Sequence, residues 1–262
     1  MAGPAFETGK HPKYAGKGSN PARLLIGGHA PPNSPFRYMP WDPFQAMLLD
    51  PAWFYDDWRS GYNANKFTVT EVDGGGDNAG AITQTANLAT LFTIDDADND
   101  LQQFQHLYSW TPAATGFCAA YWRMQAAEAT NSDYYGGWSS ADTSIVASAP
   151  ANYAMFKKDD DDTIVNGASN DAGGSPSETA SLITDFTADT DYDFGIVLVP
   201  SSTTVGTMYF CYKLASVAAW TQVVKTTDFP DAAVRFTQLI QRGTTGASTM
   251  TLKRWAICGY QG

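Results

Sequence analysis

Residues 156–165 read FKKDDDDTIV, in which Lys157 and Lys158 precede four consecutive aspartates, Asp159 to Asp162, between two short apolar runs. Carboxylates packed this densely could bind calcium, act as a general acid and base, or simply solvate a turn. Calcium takes about six oxygens, and the spaced D-x-D-x-D-G pattern closed by a glutamate is missing. Strand alternation sends adjacent side chains to opposite sides, so four neighbouring aspartates converge on one ion only if the loop curls. The flanking stretches NYAMF and TIV have strand character. A charged hairpin tip is the expectation, with no cofactor required and calcium near Asp159–Asp162 as the alternative.

Other reactive groups are sparse. The chain has four glutamates, Glu7, Glu71, Glu128 and Glu178, and no two are close in sequence. Glycoside hydrolysis needs a pair of carboxyl groups flanking the scissile bond. TEVDGGGD begins like the E-x-D-x-E strand of jelly-roll glucanases, with Glu71 and Asp73, but three glycines stand where the second glutamate belongs. Of the three histidines, His11, His29 and His106, two fall before residue 38. A Ser-His-Asp triad or a histidine metal site has little to draw on. No Walker loop, zinc spacing or dinucleotide fingerprint occurs. The residues therefore point away from an enzyme. A sugar site is harder to set aside, because NSDYYGGWSS places Asp133, Tyr134, Tyr135 and Trp138 together. Aromatic rings and carboxylates of this kind stack on sugars and bind hydroxyls, but strand aromatics also fill sandwich cores.

The chain that must position these residues has 262 residues and a net charge of −11. Residues 1–37 carry five basic residues, Lys10, Lys13, Lys17, Arg23 and Arg37, against Glu7, while the remainder carries 11 basic and 26 acidic. An acidic body disfavours nucleic acid and anionic membranes. Cys118, Cys211 and Cys258 lie in apolar runs without a CxxC pair, so buried thiols are expected rather than a secreted disulfide framework. No signal-peptide pattern opens the sequence and no apolar run is long enough to cross a bilayer as a helix.

Three sections are expected. Residues 1–40 form an extended basic arm rich in proline and glycine. Residues 41–62 hold two short aromatic-rich helices, with Asp42–Pro43 and Asp50–Pro51 as starts, and Trp41, Phe44, Trp53 and Trp58 available to a neighbour. Residues 63–262 alternate with period two. Phe67 and Val69 share one face, as do Tyr192, Phe194, Ile196 and Leu198, and also Met208, Phe210, Tyr212 and Leu214. Near the C-terminus the apolar phase slips from Met250 and Leu252 to Trp255 and Ile257, which predicts a bulge. Turn-forming stretches such as DGGGDNAG and SNDAGGSPS separate about a dozen strands. The fold class is all-β, a two-sheet antiparallel jelly-roll sandwich.

Four stretches, FTVTEVDGGGDNAGAITQT, NYAMFKKDDDDTIVNGASN, YDFGIVLVPSSTTVGTMYFCYKLASVAAW and VRFTQLIQRGTTGASTMTLKRWAICGY, resemble LamG-like, concanavalin-type jelly-roll virion proteins of tailed bacteriophages. The likeness lies in strand order and turn placement over most of residues 64–260. It implies a capsid decoration or cement protein at the virion surface, made in the host cytoplasm, with no catalytic residues to carry over. Its partners would be the major capsid protein and copies of itself, with trimers natural at local three-fold positions. Lys10, Lys13, Lys17, Arg23, Arg37, Trp41, Phe44, Trp53 and Trp58 become the candidate capsid or subunit contacts. The alternative is a carbohydrate- or receptor-binding module of a head or tail fibre, with Asp133, Tyr134, Tyr135 and Trp138 as its site.

Overall fold

The computed structural model describes residues 53–57 and 64–260, apart from 77, 86–88, 114–115, 141–144, 147–148, 174 and 218. The arm expected over 1–40 lies outside the described residues, as do Trp41, Phe44 and Trp58.

Fifteen strands make up the described chain: β1 (Trp53–Asp57), β2 (Phe67–Val72), β3 (Ala81–Gln84), β4 (Thr90–Ile94), β5 (Leu101–Trp110), β6 (Phe117–Ala126), β7 (Ser132–Ser139), β8 (Tyr153–Lys158), β9 (Val165–Asn170), β10 (Ser177–Ile183), β11 (Tyr192–Pro200), β12 (Gly206–Leu214), β13 (Thr221–Lys225), β14 (Val234–Arg242) and β15 (Ser248–Tyr260). One sheet runs β13-β12-β11-β6-β15-β4-β3, with β1 also on β15, and the other runs β10-β9-β8-β7-β14-β5-β2. Every pairing is antiparallel. We call them the first and second sheet. Among the described residues the one helical turn is a 3-10 segment at Ala64–Lys66.

Alternation explains the sandwich. Phe194, Ile196 and Leu198 of β11 and Ala120, Trp122 and Met124 of β6 face Trp138 of β7, Phe156 of β8 and Phe236 of β14 across the intersheet core. Trp122 stacks on Phe194 with centroids 5.6 Å apart, and Phe236 stacks on Trp255 at 5.9 Å. Burying each such ring is worth about 1.5–3 kcal/mol, and each good aromatic pair adds about 0.5–1.5. Cys118 and Cys211 are buried, as expected.

The slip in β15 is a register shift between Leu252 and Arg254. It lets β15 carry Met250 and Leu252, then Trp255 and Ile257, into the same core. The second of the two expected helices is corrected: Trp53–Asp57 is a strand, antiparallel to β15 from Trp53 opposite Tyr260 to Asp57 opposite Ala256. The physical reason lies in β15, whose Ser248–Leu252 half pairs with β4 while its last residues leave an edge open. Aromatic residues such as Trp53, Phe54 and Tyr55 suit a strand on such an edge, and this tertiary demand outweighs the Asp50–Pro51 helix start.

Candidate functional site

The register of four strands of the first sheet lines up one row of charge on its outer face. Asp193 of β11 stands opposite Lys213 of β12 on one side and Arg123 of β6 on the other, and Arg123 stands opposite Arg254 of β15. Their chain neighbours Trp122, Phe194 and Trp255 point into the core, so the row points out.

Asp193 is 1% exposed although it is ionisable, and its oxygens are filled. Arg123 donates Nε to Oδ1 at 2.7 Å and Nη2 to Oδ2 at 2.8 Å, and the Tyr121 hydroxyl donates to Oδ1 at 2.8 Å. Lys213 Nζ lies 3.5 Å from Oδ2 and Arg254 Nη2 lies 4.0 Å from Oδ1. Burial opposes the charged form of Asp193, but the hydrogen bonds from Arg123 and Tyr121 outweigh it and hold the carboxyl below its usual range. The Tyr121 hydroxyl is pushed up by burial and by the Asp193 charge. One carboxylate thus answers three cations.

Two aromatic rings border the row. Tyr121 and Trp220, both half-buried, meet edge to face with centroids 6.1 Å apart. Lys213 Nζ sits 5.3 Å from the Trp220 centroid and the Arg254 guanidinium 5.4 Å from that of Tyr121. Lys213 also donates to the Val217 carbonyl at 2.7 Å, tying the β12–β13 loop to the site. Beside Tyr121, the facing residue of β11 is Gly195, which adds no side chain to the surface. Rings, a fixed carboxylate and guanidinium donors side by side can stack on a sugar face and bind its polar groups.

The residues expected to form a sugar site do not assemble into one. Trp138 is 0% exposed and packs against Phe236 in the core, and Tyr134 is buried there too, its hydroxyl donating to the Glu128 carbonyl at 3.0 Å. Tyr135 and Asp133 point to the opposite, outer face of the second sheet, where Tyr135 is packed among Leu239, Met155 and Ile145. The period-two geometry of β7 divides the four residues between its two faces, so the platform reading of Tyr134 and Trp138 is corrected.

The aspartate run is the β8–β9 turn, and each member is used locally. Asp159 accepts from the Tyr135 hydroxyl at 2.5 Å, the Asp160 amide donates to Asp133 Oδ1 at 3.0 Å, and the Ile164 amide donates to Asp162 Oδ1 at 2.9 Å. Asp161 takes a positive φ of 60° at the tip. Burial, together with the neighbouring Asp160 and Asp159 charges, pushes the Asp133 carboxyl up to about 6 against the pull of the Asp160 amide. Among the described residues no group of three or more His, Cys, Asp or Glu could hold a metal ion. Asp73, in the hairpin with the misleading glucanase-like start, caps the amides of Gly75 (3.1 Å) and Gly76. Of the candidate contacts, Trp53 opens β1. Lys10, Lys13, Lys17, Arg23 and Arg37 lie outside the described residues.

Sequence reasoning missed Tyr121, Arg123, Asp193, Lys213, Trp220 and Arg254. The available signal was the outward phase of CAAYWRMQA, YDFGIV and YFCYKL, which carries charge where the inward phase carries rings. Only the strand order β12-β11-β6-β15 brings those phases together.

No family model matches the sequence, and no curated protein matches it. Solved structures match in fold. A prokaryotic β-1,3-1,4-glucanase (lichenase) derived from a mouse hindgut metagenome has a TM-score of 0.54 at 10% identity, over 78% of this chain and 98% of its own. Peanut lectin has a TM-score of 0.50 at 9% identity, over 79% and 97%. The Emp47p carbohydrate recognition domain has a TM-score of 0.50 at 10% identity, over 78% and 92%. Likeness at this identity establishes the fold alone: an all-β, two-sheet antiparallel sandwich of the lectin and glucanase jelly-roll type.

Proposed function

We propose that this chain is a non-catalytic carbohydrate-binding module that takes its ligand on the outer face of the first sheet. The observation that carries the reading is the row Lys213–Asp193–Arg123–Arg254 flanked by Tyr121 and Trp220. It joins ring surface to fixed hydrogen-bonding charge, the combination a flat, hydroxyl-rich ligand needs. The similar folds of a lectin, a carbohydrate recognition domain and a glucanase support it at the level of fold. The glutamates support the non-catalytic part, since Glu128 and Glu178 are held by Arg242 and Lys157 at 3.2 and 2.9 Å in separate places. The test is a glycan array followed by calorimetry on the hits. Binding that falls at least about tenfold on Trp220→Ala is expected, in line with roughly 1–2 kcal/mol for a stacked ring. Silence across a broad array would sink the reading.

The charge split of the sequence favours a second reading, that the chain decorates a viral shell. A balance of +4 in residues 1–37 against −15 in the remainder fits a basic arm, Lys10 to Arg37, lying on an acidic neighbour such as a capsid subunit or a second copy. Many weak contacts repeated on a symmetric lattice add up through effective concentration. Deleting residues 1–37 then yields a folded body that no longer co-sediments with particles. Full decoration by the truncated chain would refute it.

A further inference from the structure

We infer that the ligand of the outer face of the first sheet is an anionic glycan, one bearing carboxylate or sulfate groups; this rests on the carbohydrate-binding reading above. The argument is one of charge balance. Arg123 and Asp193 neutralise each other through two hydrogen bonds, at 2.7 and 2.8 Å, and the Tyr121 hydroxyl fills a further acceptor position on Asp193. Lys213 and Arg254 reach the same carboxylate only at 3.5 and 4.0 Å, which adds attraction but, among the described residues, leaves their charges without a counterion of their own. Nearby Lys253 and Asp191 pair with each other at 2.7 Å and contribute no net charge. The described side chains of the row therefore carry a surplus of two positive charges, on a protein whose total is −11. A concentrated positive site on an acidic body draws anions locally while the body as a whole repels extended polyanions such as nucleic acid.

Arg254 is the natural contact. Its side chain is 41% exposed, yet its Nε is buried and, among the described residues, meets no acceptor. A guanidinium held this way, 5.4 Å from the Tyr121 ring centroid, leaves its exposed terminal N–H groups to meet a carboxylate or sulfate. The row spans three interstrand spacings, roughly 14 Å at about 4.8 Å each. That length suits a short run of pyranose rings, with an acid group at Arg254 and ring faces toward Tyr121 and Trp220. An acidic protein surface would need a broader, flatter contact than this strip offers.

The test compares oligosaccharides of matched length by calorimetry on the full chain: a polyuronate, a sulfated glycosaminoglycan fragment and a neutral β-glucan, with a poly-glutamate peptide alongside. We expect the acidic sugars to bind, the neutral one to bind at least about tenfold more weakly, and the acidic affinity to fall as salt rises from about 50 to 300 mM. Arg254→Gln should remove about tenfold of the acidic affinity and distinctly less of the neutral, with the fold retained by circular dichroism. Lys213→Gln provides a second, independent variant with the same expectation. Equal binding of neutral and acidic sugars, untouched by either variant, overturns the anionic assignment and leaves the glycan reading standing. Binding of poly-glutamate as tight as the uronate overturns it in favour of an acidic protein partner. No binding of any glycan overturns both.

Discussion

Arg123 grips Asp193 through both carboxylate oxygens, at 2.7 and 2.8 Å, across the neighbouring strands β6 and β11. This is a fork-on-fork pair on the outside of a sheet, and it holds a buried acid in its charged form. Asp193→Asn keeps the shape but removes the charge that three cations share. It should lower stability by roughly 2–4 kcal/mol at pH 7 in a denaturant titration. The pH dependence has a fixed sign. The folded-state carboxyl titrates below its ordinary value of 3.8, so its contribution is fully present above that range and is lost as pH falls through the folded value. The gap between wild type and variant should hold from pH 8 to about 5 and close below about 4. A gap that instead widened in acid would show that the pair is not what stabilises the row.

Asp133 should behave in the opposite way. Its carboxyl is pushed from 3.8 up to about 6, first by burial and then by Asp160 and Asp159, despite the bond from the Asp160 amide. Folding therefore favours the protonated form, and the ionised form costs stability above about pH 6, a cost that disappears as pH falls toward 4. Asp133→Asn can still accept from the Asp160 amide while shedding the charge. It should stabilise the protein by up to about 2–3 kcal/mol at pH 7.5 and change little at pH 4. Chemical denaturation at the two pH values checks this, and a destabilised variant at pH 7.5 would contradict it.

Gln238 is a polar residue in an aromatic core. It stands opposite Gly136 and Phe104 on the inward face of β14, it is 1% exposed, and among the described residues neither end of its amide has a hydrogen-bond partner. The amide lies on Gly136 so closely that a methyl group there would come within 2.7 Å of Oε1. Gln238→Met should therefore stabilise the fold by about 1–3 kcal/mol, raising the melting temperature by roughly 3–8 °C. Gly136→Ala should cost about 1–3 kcal/mol through overpacking, and the added change Gln238→Ala should recover part of that loss. An unchanged or lower melting temperature for Gln238→Met would mean that bound water satisfies the amide in solution.

How legible all this was in the sequence depends on whether the information is local. Alternation along one strand is local, so the inward set of β11, Met208 and Phe210 of β12 and the bulge in β15 could be found from spacing alone, while Leu214 at the end of β12 is exposed. Tyr192, Phe194, Ile196 and Leu198 are all buried in the core. The hairpin at Asp159–Asp162 was legible for the same reason, since its turn residues are contiguous. β1 was not, because Trp53–Asp57 becomes a strand only when β15 offers it an edge. Nor was the charged row, whose members sit up to 131 positions apart, from Arg123 to Arg254, and meet through strand order. The paired appearance of Tyr134 and Trp138 misled for a simpler reason. They share the inward phase of β7, which proximity in sequence to Asp133 and Tyr135 disguises.

The turn itself supplies the last prediction. Asp161 is exposed and holds φ at 60°, a left-handed conformation that aspartate tolerates, glycine adopts freely and β-branched residues resist. Its amide donates to the Thr130 carbonyl at 2.7 Å, so the backbone must keep this shape to join the β8–β9 turn to the β6–β7 loop. Asp161→Gly should be neutral or stabilising by up to about 1 kcal/mol, since relief of the strained φ opposes the added freedom of the unfolded chain. Asp161→Val should destabilise by roughly 1–3 kcal/mol because valine cannot hold that φ without strain. Both changes remove the same charge, so their difference isolates the backbone. Equal melting temperatures for the two variants would mean that the side-chain charge, and not the conformation, fixes aspartate at this tip.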